Sequence, residues 1–105
     1  MEYTYGYQEA LVPVSPRQAL TVDSTAGGVT LTIPSRAVGA NCRLETAQIR
    51  FTLDGTAPTT TVGTLLEIGE ILDLHGQDEL NGFKAIRTGG TSGTLQVEYS
   101  RVKVS

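Results

Sequence analysis

The sequence predicts an all-β protein: one small β-sandwich or barrel-like domain of short antiparallel strands, carrying an extended N-terminal arm. Three observations lead there. Apolar residues alternate with polar ones in one short run after another, as half-buried strands require. The runs recur at roughly ten-residue spacing, about six to eight of them, with Gly, Pro, Asn and Asp between them. The 12 glycines among 105 residues supply the turns.

Residues 1–16 read as the arm and residues 17–105 as the domain. Met1, Tyr3, Tyr5 and Tyr7 fall on one face of an extended segment, and Glu2, Thr4, Gly6 and Gln8 on the other. Pro13 and Pro16 in Leu11-Val12-Pro13-Val14-Ser15-Pro16 disfavour helix and bias their predecessors toward extended backbone. Sixteen extended residues reach roughly 50 Å. Ala19 to Val22, a turn at Ala26-Gly27-Gly28, and Val29 to Ile33 predict a hairpin, with Val29, Leu31 and Ile33 inward. A loop over residues 38–41 leads into one run from Cys42 to Leu53, where Ile49, Phe51 and Leu53 alternate with Arg50 and Thr52. Asp54-Gly55 then closes the run with turn residues.

Thr56 to Thr61 is a polar loop, Leu65-Leu66 follows Gly63, and Glu70 to Leu74 is a further strand. Gln77 to Gly82, with an acidic start and a terminal glycine, suits one helical turn at most. Phe83 to Arg87 and Thr94 to Tyr99 alternate again across a Gly-rich link. These two runs predict the clearest hairpin, with Leu95, Val97 and Tyr99 inward.

Size and charge narrow the function. A chain of 105 residues buries only about two-thirds of its unfolded surface, enough for one core but not for a deep shielded active site as well. With 8 Lys plus Arg against 11 Asp plus Glu, the net charge is -3. That balance argues against a partner held by phosphate contacts, so no nucleic acid is expected. Cys42 is the one cysteine and cannot close an intramolecular disulfide, which leaves subunit contacts as a source of stability. The opening residues lack a basic start and an apolar run, and no stretch approaches the roughly 20 apolar residues of a membrane span. Synthesis in the cytosol and no membrane association are the expectation.

The candidate chemistry is sparse. His75 is the sole histidine, flanked by Asp73 and Asp78, but no nucleophile motif accompanies it, and a polar turn accounts for it. Asp73, His75, Asp78 and Glu79 match no metal-ligand spacing. Gly89 to Gly93 is glycine-rich like a phosphate loop, yet a strand rather than a helix follows it and no lysine sits within it. Cys42 is read as a packing residue. No catalytic residue, metal or cofactor is therefore expected. A glycan platform would need aromatic side chains, and with no Trp and only Tyr99 outside the arm, it would have to use Tyr3, Tyr5 and Tyr7.

The arm is the most informative feature. Its tyrosines could cover the protein's own core as an ordinary first strand. They could equally dock on a neighbouring subunit by strand addition, where tyrosine contributes large contact area at small entropic cost. The Pro-containing linker behind them favours docking, with Tyr3, Tyr5, Tyr7, Leu11, Val12 and Val14 as the contact residues.

The segment Ile49-Arg50-Phe51-Thr52-Leu53-Asp54-Gly55-Thr56-Ala57-Pro58-Thr59 resembles small β-sandwich virion proteins of tailed bacteriophages. The order continues through Gly63-Thr64-Leu65-Leu66, Gly69-Glu70-Ile71-Leu72, Phe83 to Arg87 and Leu95 to Tyr99, so it covers about residues 49 to 99. The Asp-Gly-x-x-Pro core also resembles fibronectin-like and immunoglobulin-like accessory modules of carbohydrate enzymes. The resemblance implies a non-enzymatic virion component, made in the host cytoplasm. Its most plausible form is a decoration or cement protein on the capsid exterior, partnered by the major capsid protein or another virion protein. A homo-oligomer is expected, with a trimer as the first form to test. The alternative is a tail-associated or surface-glycan-binding immunoglobulin-like module.

Overall fold

A computed structural model describes residues 10–103. Tyr3, Tyr5 and Tyr7 lie outside the described residues. Seven strands and one short helix follow in the order β1 (Leu11–Val22), β2 (Gly39–Glu45), β3 (Ile49–Thr52), β4 (Thr64–Leu66), β5 (Ile71–His75), α1 (Gly76–Gly82), β6 (Lys84–Arg87) and β7 (Gly93–Val102). Two antiparallel sheets result: a four-stranded sheet ordered β1-β7-β2-β5 and a three-stranded sheet ordered β4-β3-β6. The all-β class read from the sequence is what the structure shows.

Alternation sets the core. Leu95, Val97 and Tyr99 on β7, Ala40, Cys42 and Leu44 on β2, and Leu20 and Val22 on β1 turn inward. Ile49, Phe51, Leu66 and Ala85 meet them from the second sheet. Phe51 and Phe83 stack with ring centroids 6.2 Å apart and planes 19° from parallel, an offset arrangement that adds to their area burial. α1 closes one end by burying Leu80.

Four sequence expectations change. No strand forms at residues 29–33. Val29 makes a single bridge to Ala85, Leu31 is buried and Ile33 half-buried, so their alternation reflects burial without lateral pairing. Gly27 and Gly28 both adopt left-handed φ, at 87° and 88°. A Cβ on Gly28 would stand 2.9 Å from Pro58. The chain therefore crosses to β6 instead of folding back on β1, which pairs with β7 on both sides of a register shift between Val14 and Gln18.

The run from Cys42 to Leu53 is two strands in different sheets, β2 and β3. They are separated by a corner in which Thr46 takes φ 80°. Leu44 and Ile49 are both fully buried, but they stand five residues apart, so the inward positions switch from even to odd numbers across Glu45-Thr46-Ala47-Gln48, none of which is buried. The helix is seven residues, about two turns, because Glu79 accepts the backbone N–H of His75 at 2.7 Å and Leu80 anchors it.

β6 and β7 form no hairpin: β6 pairs with β3, and β7 lies between β1 and β2. Thr88 hydroxyl donates to Gln48 Oε1 at 2.7 Å. A Cβ on Gly93 would lie 2.7 Å from the Ala47 carbonyl oxygen and 2.8 Å from Ile49 Cγ2. The connection is thus held against the β2–β3 corner and delivers β7 into the other sheet.

Candidate functional site

The segment read as an arm joins the sheet from Leu11 onward. Leu11, Val12, Pro13 and Val14 pair with Val102, Arg101, Ser100 and Tyr99, and the register then shifts before Gln18 pairs with Val97. β2 reaches only as far as Gly39, opposite Ser100. Past Ser100, β1 and β7 therefore run on as a two-stranded ribbon, extended by a bond from Lys103 N–H to the Ala10 carbonyl at 2.9 Å. Leu11 is 57% exposed on this ribbon. Arg101 and Lys103 are its cations. Of the predicted contact residues, Val14 packs against the core, Leu11 faces solvent, and Val12 is half-buried between these extremes.

Beside the ribbon the outer face of the four-stranded sheet is hollowed. Register places Pro13, Ser100, Gly39 and His75 in one cross-strand row and Glu98, Asn41 and Asp73 in the next. The small residues in the middle of the first row leave a shallow groove of about 430 Å³, rimmed by Leu11, Pro13, Asn41, Asp73, His75 and Glu98. Gly39 is required there, since a Cβ would stand 3.0 Å from the Leu74 carbonyl oxygen and 3.3 Å from Ser100 Oγ. Asn41 Nδ2 donates to Asp73 Oδ1 at 2.7 Å, which fixes the polar rim.

This arrangement is suited to contact more than to catalysis. His75 and Ser100 share a row but stand two strands apart, about 10 Å, beyond the reach of a base and its nucleophile. Asp73 is engaged by Asn41, and Glu79 by the His75 backbone. Among the described residues, no group of three or more His, Cys, Asp or Glu is placed to hold a metal ion. Cys42 is fully buried, and burial, with a smaller effect from the Asp73 carboxylate, pushes its thiol up to about 12. It is held as the neutral thiol, which is poorly nucleophilic.

Tyr99 offers no platform for a sugar ring. Its side chain is fully buried, its hydroxyl donates to Gln18 Oε1 at 2.7 Å, and desolvation pushes it up to about 12. Any glycan stacking would rest on Tyr3, Tyr5 and Tyr7. The groove itself escapes sequence reasoning because it depends on what Gly39 lacks. The closest signal was a loop assignment at residues 38–41, where β2 in fact begins. In comparison with known proteins, no family model, curated protein or solved structure matches the chain.

Proposed function

We propose that this chain is a non-enzymatic structural protein of a phage virion: a decoration or cement protein that binds the outside of the capsid and bridges neighbouring subunits. The β domain supplies one contact and the N-terminal segment the other. The observation that carries the bridging role is the ribbon formed by Leu11 and Val12 with Arg101 and Val102, which outruns β2. It sets the point at which the segment bearing Tyr3, Tyr5 and Tyr7 joins the domain at its rim. Two modest contacts joined by such a segment act as one strong one, because the second forms at high effective concentration. The virion setting rests on the sequence resemblance across residues 49 to 99.

The test is loading onto purified capsids by the full chain and by the variant Tyr3→Ser/Tyr5→Ser/Tyr7→Ser. The full chain should co-sediment saturably. The variant, having lost aromatic anchors of the kind that dominate interfaces, should bind roughly 30-fold more weakly or worse. Equal loading by both removes the arm from the mechanism. No loading by either removes the capsid reading, and binding to tails or glycans instead would favour the alternative module.

A further inference from the structure

Five large apolar residues are prominently exposed among the described residues, and four of them, Val62, Leu65, Ile68 and Ile71, fall within one ten-residue stretch. The stretch links edge strands of the two sheets. Leu65 lies on β4, an edge strand of the three-stranded sheet, and Ile71 opens β5, an edge strand of the four-stranded sheet. Between them Ile68, 60% exposed, occupies the tip of a turn closed by Glu70 N–H to the Glu67 carbonyl at 3.0 Å, with Gly69 at φ 88°. Among the described residues β5 pairs only with β2, so the Ile71 end of its other side presents main-chain groups without a strand partner there, while at the far end Glu79 takes the His75 N–H. An open strand edge with an apolar flank is a template for strand addition.

We propose that this edge receives residues 1–9 of a second copy of the chain, added as a strand along β5 with Tyr3, Tyr5 and Tyr7 against Ile71 and Ile68. The lengths agree. Nine extended residues reach roughly 30 Å, against roughly 17 Å for the five residues of β5. The period-two tyrosines present one continuous aromatic face, as a strand over an apolar flank requires. Glu67, Glu70 and Asp73 border the edge and residues 1–9 themselves carry Glu2 and Glu9, so the contact is carried by main-chain pairing and aromatic burial, with Arg101 and Lys103 at the base of the segment as the nearby cations.

The segment's own molecule is a poorer host. β1 and β5 are the two outer strands of the same sheet with β7 and β2 between them, roughly 14 Å apart, and Leu11 stands at the His75 end of that sheet rather than the Ile71 end. Crossing that span takes at least about four residues, which uses up Tyr7 and leaves only the outermost tyrosine near Ile71.

The inference rests on the arm as a docking element but not on a capsid, and its test is run without one. Sedimentation velocity is recorded for the full chain, for the arm variant Tyr3→Ser/Tyr5→Ser/Tyr7→Ser, and for the edge variant Ile68→Lys/Ile71→Lys. Circular dichroism checks that each is folded. The full chain should associate with rising concentration, and each variant alone should dissociate, its self-affinity lowered roughly 30-fold or more. Mixing the two variants should restore a 1:1 complex, since one retains the edge and the other the arm. A monomeric full chain, association that survives in either variant, or a mixture that stays monomeric would each overturn the proposal. Capsid loading that persists after such a result would leave the virion reading standing by itself.

Discussion

Gln18 is the residue on which the mount of the N-terminal segment turns, and replacing it tests the whole reading of β1. Its Oε1 accepts two hydrogen bonds, from the Tyr99 hydroxyl at 2.7 Å and from the Thr32 backbone N–H at 3.1 Å. It re-establishes pairing with β7 after the register shift that follows Val14. In Gln18→Ala both bonds go, each worth about 1 kcal/mol net. Thr32 N–H is exposed and recovers a bond to water, while the Tyr99 hydroxyl is left poorly solvated. The sum is about 2 kcal/mol. Tyr99→Phe removes one bond and should cost about 1 kcal/mol. The double variant should fall short of the additive loss by about 1 kcal/mol, since the two residues share that bond. Urea unfolding gives these values directly, with m unchanged, and thermal midpoints should drop by about 4–8 °C for each kcal/mol in a domain of this size. Hydrogen exchange at Val12 and Val14 should quicken in Gln18→Ala as the outer half of β1 loosens. A loss below about 0.5 kcal/mol, or strict additivity in the double variant, would refute the claim that this bond holds β1.

Two further outcomes concern the core. Gly82→Ala would ordinarily stabilise a helix by about 1 kcal/mol, but here the new Cβ overlaps the Leu53 carbonyl oxygen. Urea unfolding should instead show destabilisation of about 2 kcal/mol, and any gain would contradict the packing of α1 against the loop after β3. Stability should also fall at alkaline pH. The Cys42 thiol rises from its ordinary 9.0 to about 12 in the folded protein, so the folded state keeps a proton that the unfolded state releases. Its stabilisation is full below pH 9 and disappears as pH climbs toward 12, amounting to on the order of 4 kcal/mol. Tyr99, raised from 10.0 to about 12, acts with the same sign over the upper part of that window. The urea midpoint measured across this range should decline less in Cys42→Ala, and equal slopes would refute the burial argument.

What the sequence could and could not reveal follows from what alternation encodes. In β7 every second residue from Leu95 to Tyr99 is buried, and both the strand and its inward face were legible. Val29, Leu31 and Ile33 carry the same pattern, yet they line the core from a segment without a ladder. Side-chain burial is written in the residues, whereas the hydrogen-bonding partner is decided by where the chain lies. The crossing between β2 and β3 left one trace, a switch of the inward positions from even at Leu44 to odd at Ile49, which reading residues 42 to 53 as a single strand overlooks. The supposed hairpin of the last two runs failed because Gly93 is needed for a close approach to Ala47 and Ile49, a constraint that appears only once the sheets face each other. For the site, the sequence showed the apolar character of Leu11, Val12 and Val14 but not the groove, which depends on Gly39. Nor could it show that Leu65 and Ile71 stand on edge strands of the two sheets, since that depends on sheet order.

Sheet order also shows which edges are protected. A domain with two open sheets has four edge strands, and edges left bare invite uncontrolled association. β1 carries Pro13, Pro16 and Arg17 along its outer half, and residues of that kind, which withhold a donor or add charge, blunt an edge. β6 is partly covered by the bridge from Val29 to Ala85. β4 is three residues long. β5 is less protected: its sequence Ile71-Leu72-Asp73-Leu74-His75 lacks proline and begins with an exposed isoleucine, so that only the charge of Asp73 and the capping of the His75 N–H by Glu79 blunt it. Among the described residues, the edge from which the N-terminal segment departs is thus the more blunted, and the opposite edge of the same sheet is the more open at its Ile71 end. A contact joining two different surfaces in this way is heterologous. It closes into a ring if the rotation between copies allows and otherwise extends as a filament. In a closed ring every copy buries its β5 edge and satisfies its arm, whereas any open assembly leaves one of each exposed. Stoichiometry that stays fixed as concentration rises would identify the ring, and continuous growth would identify the filament.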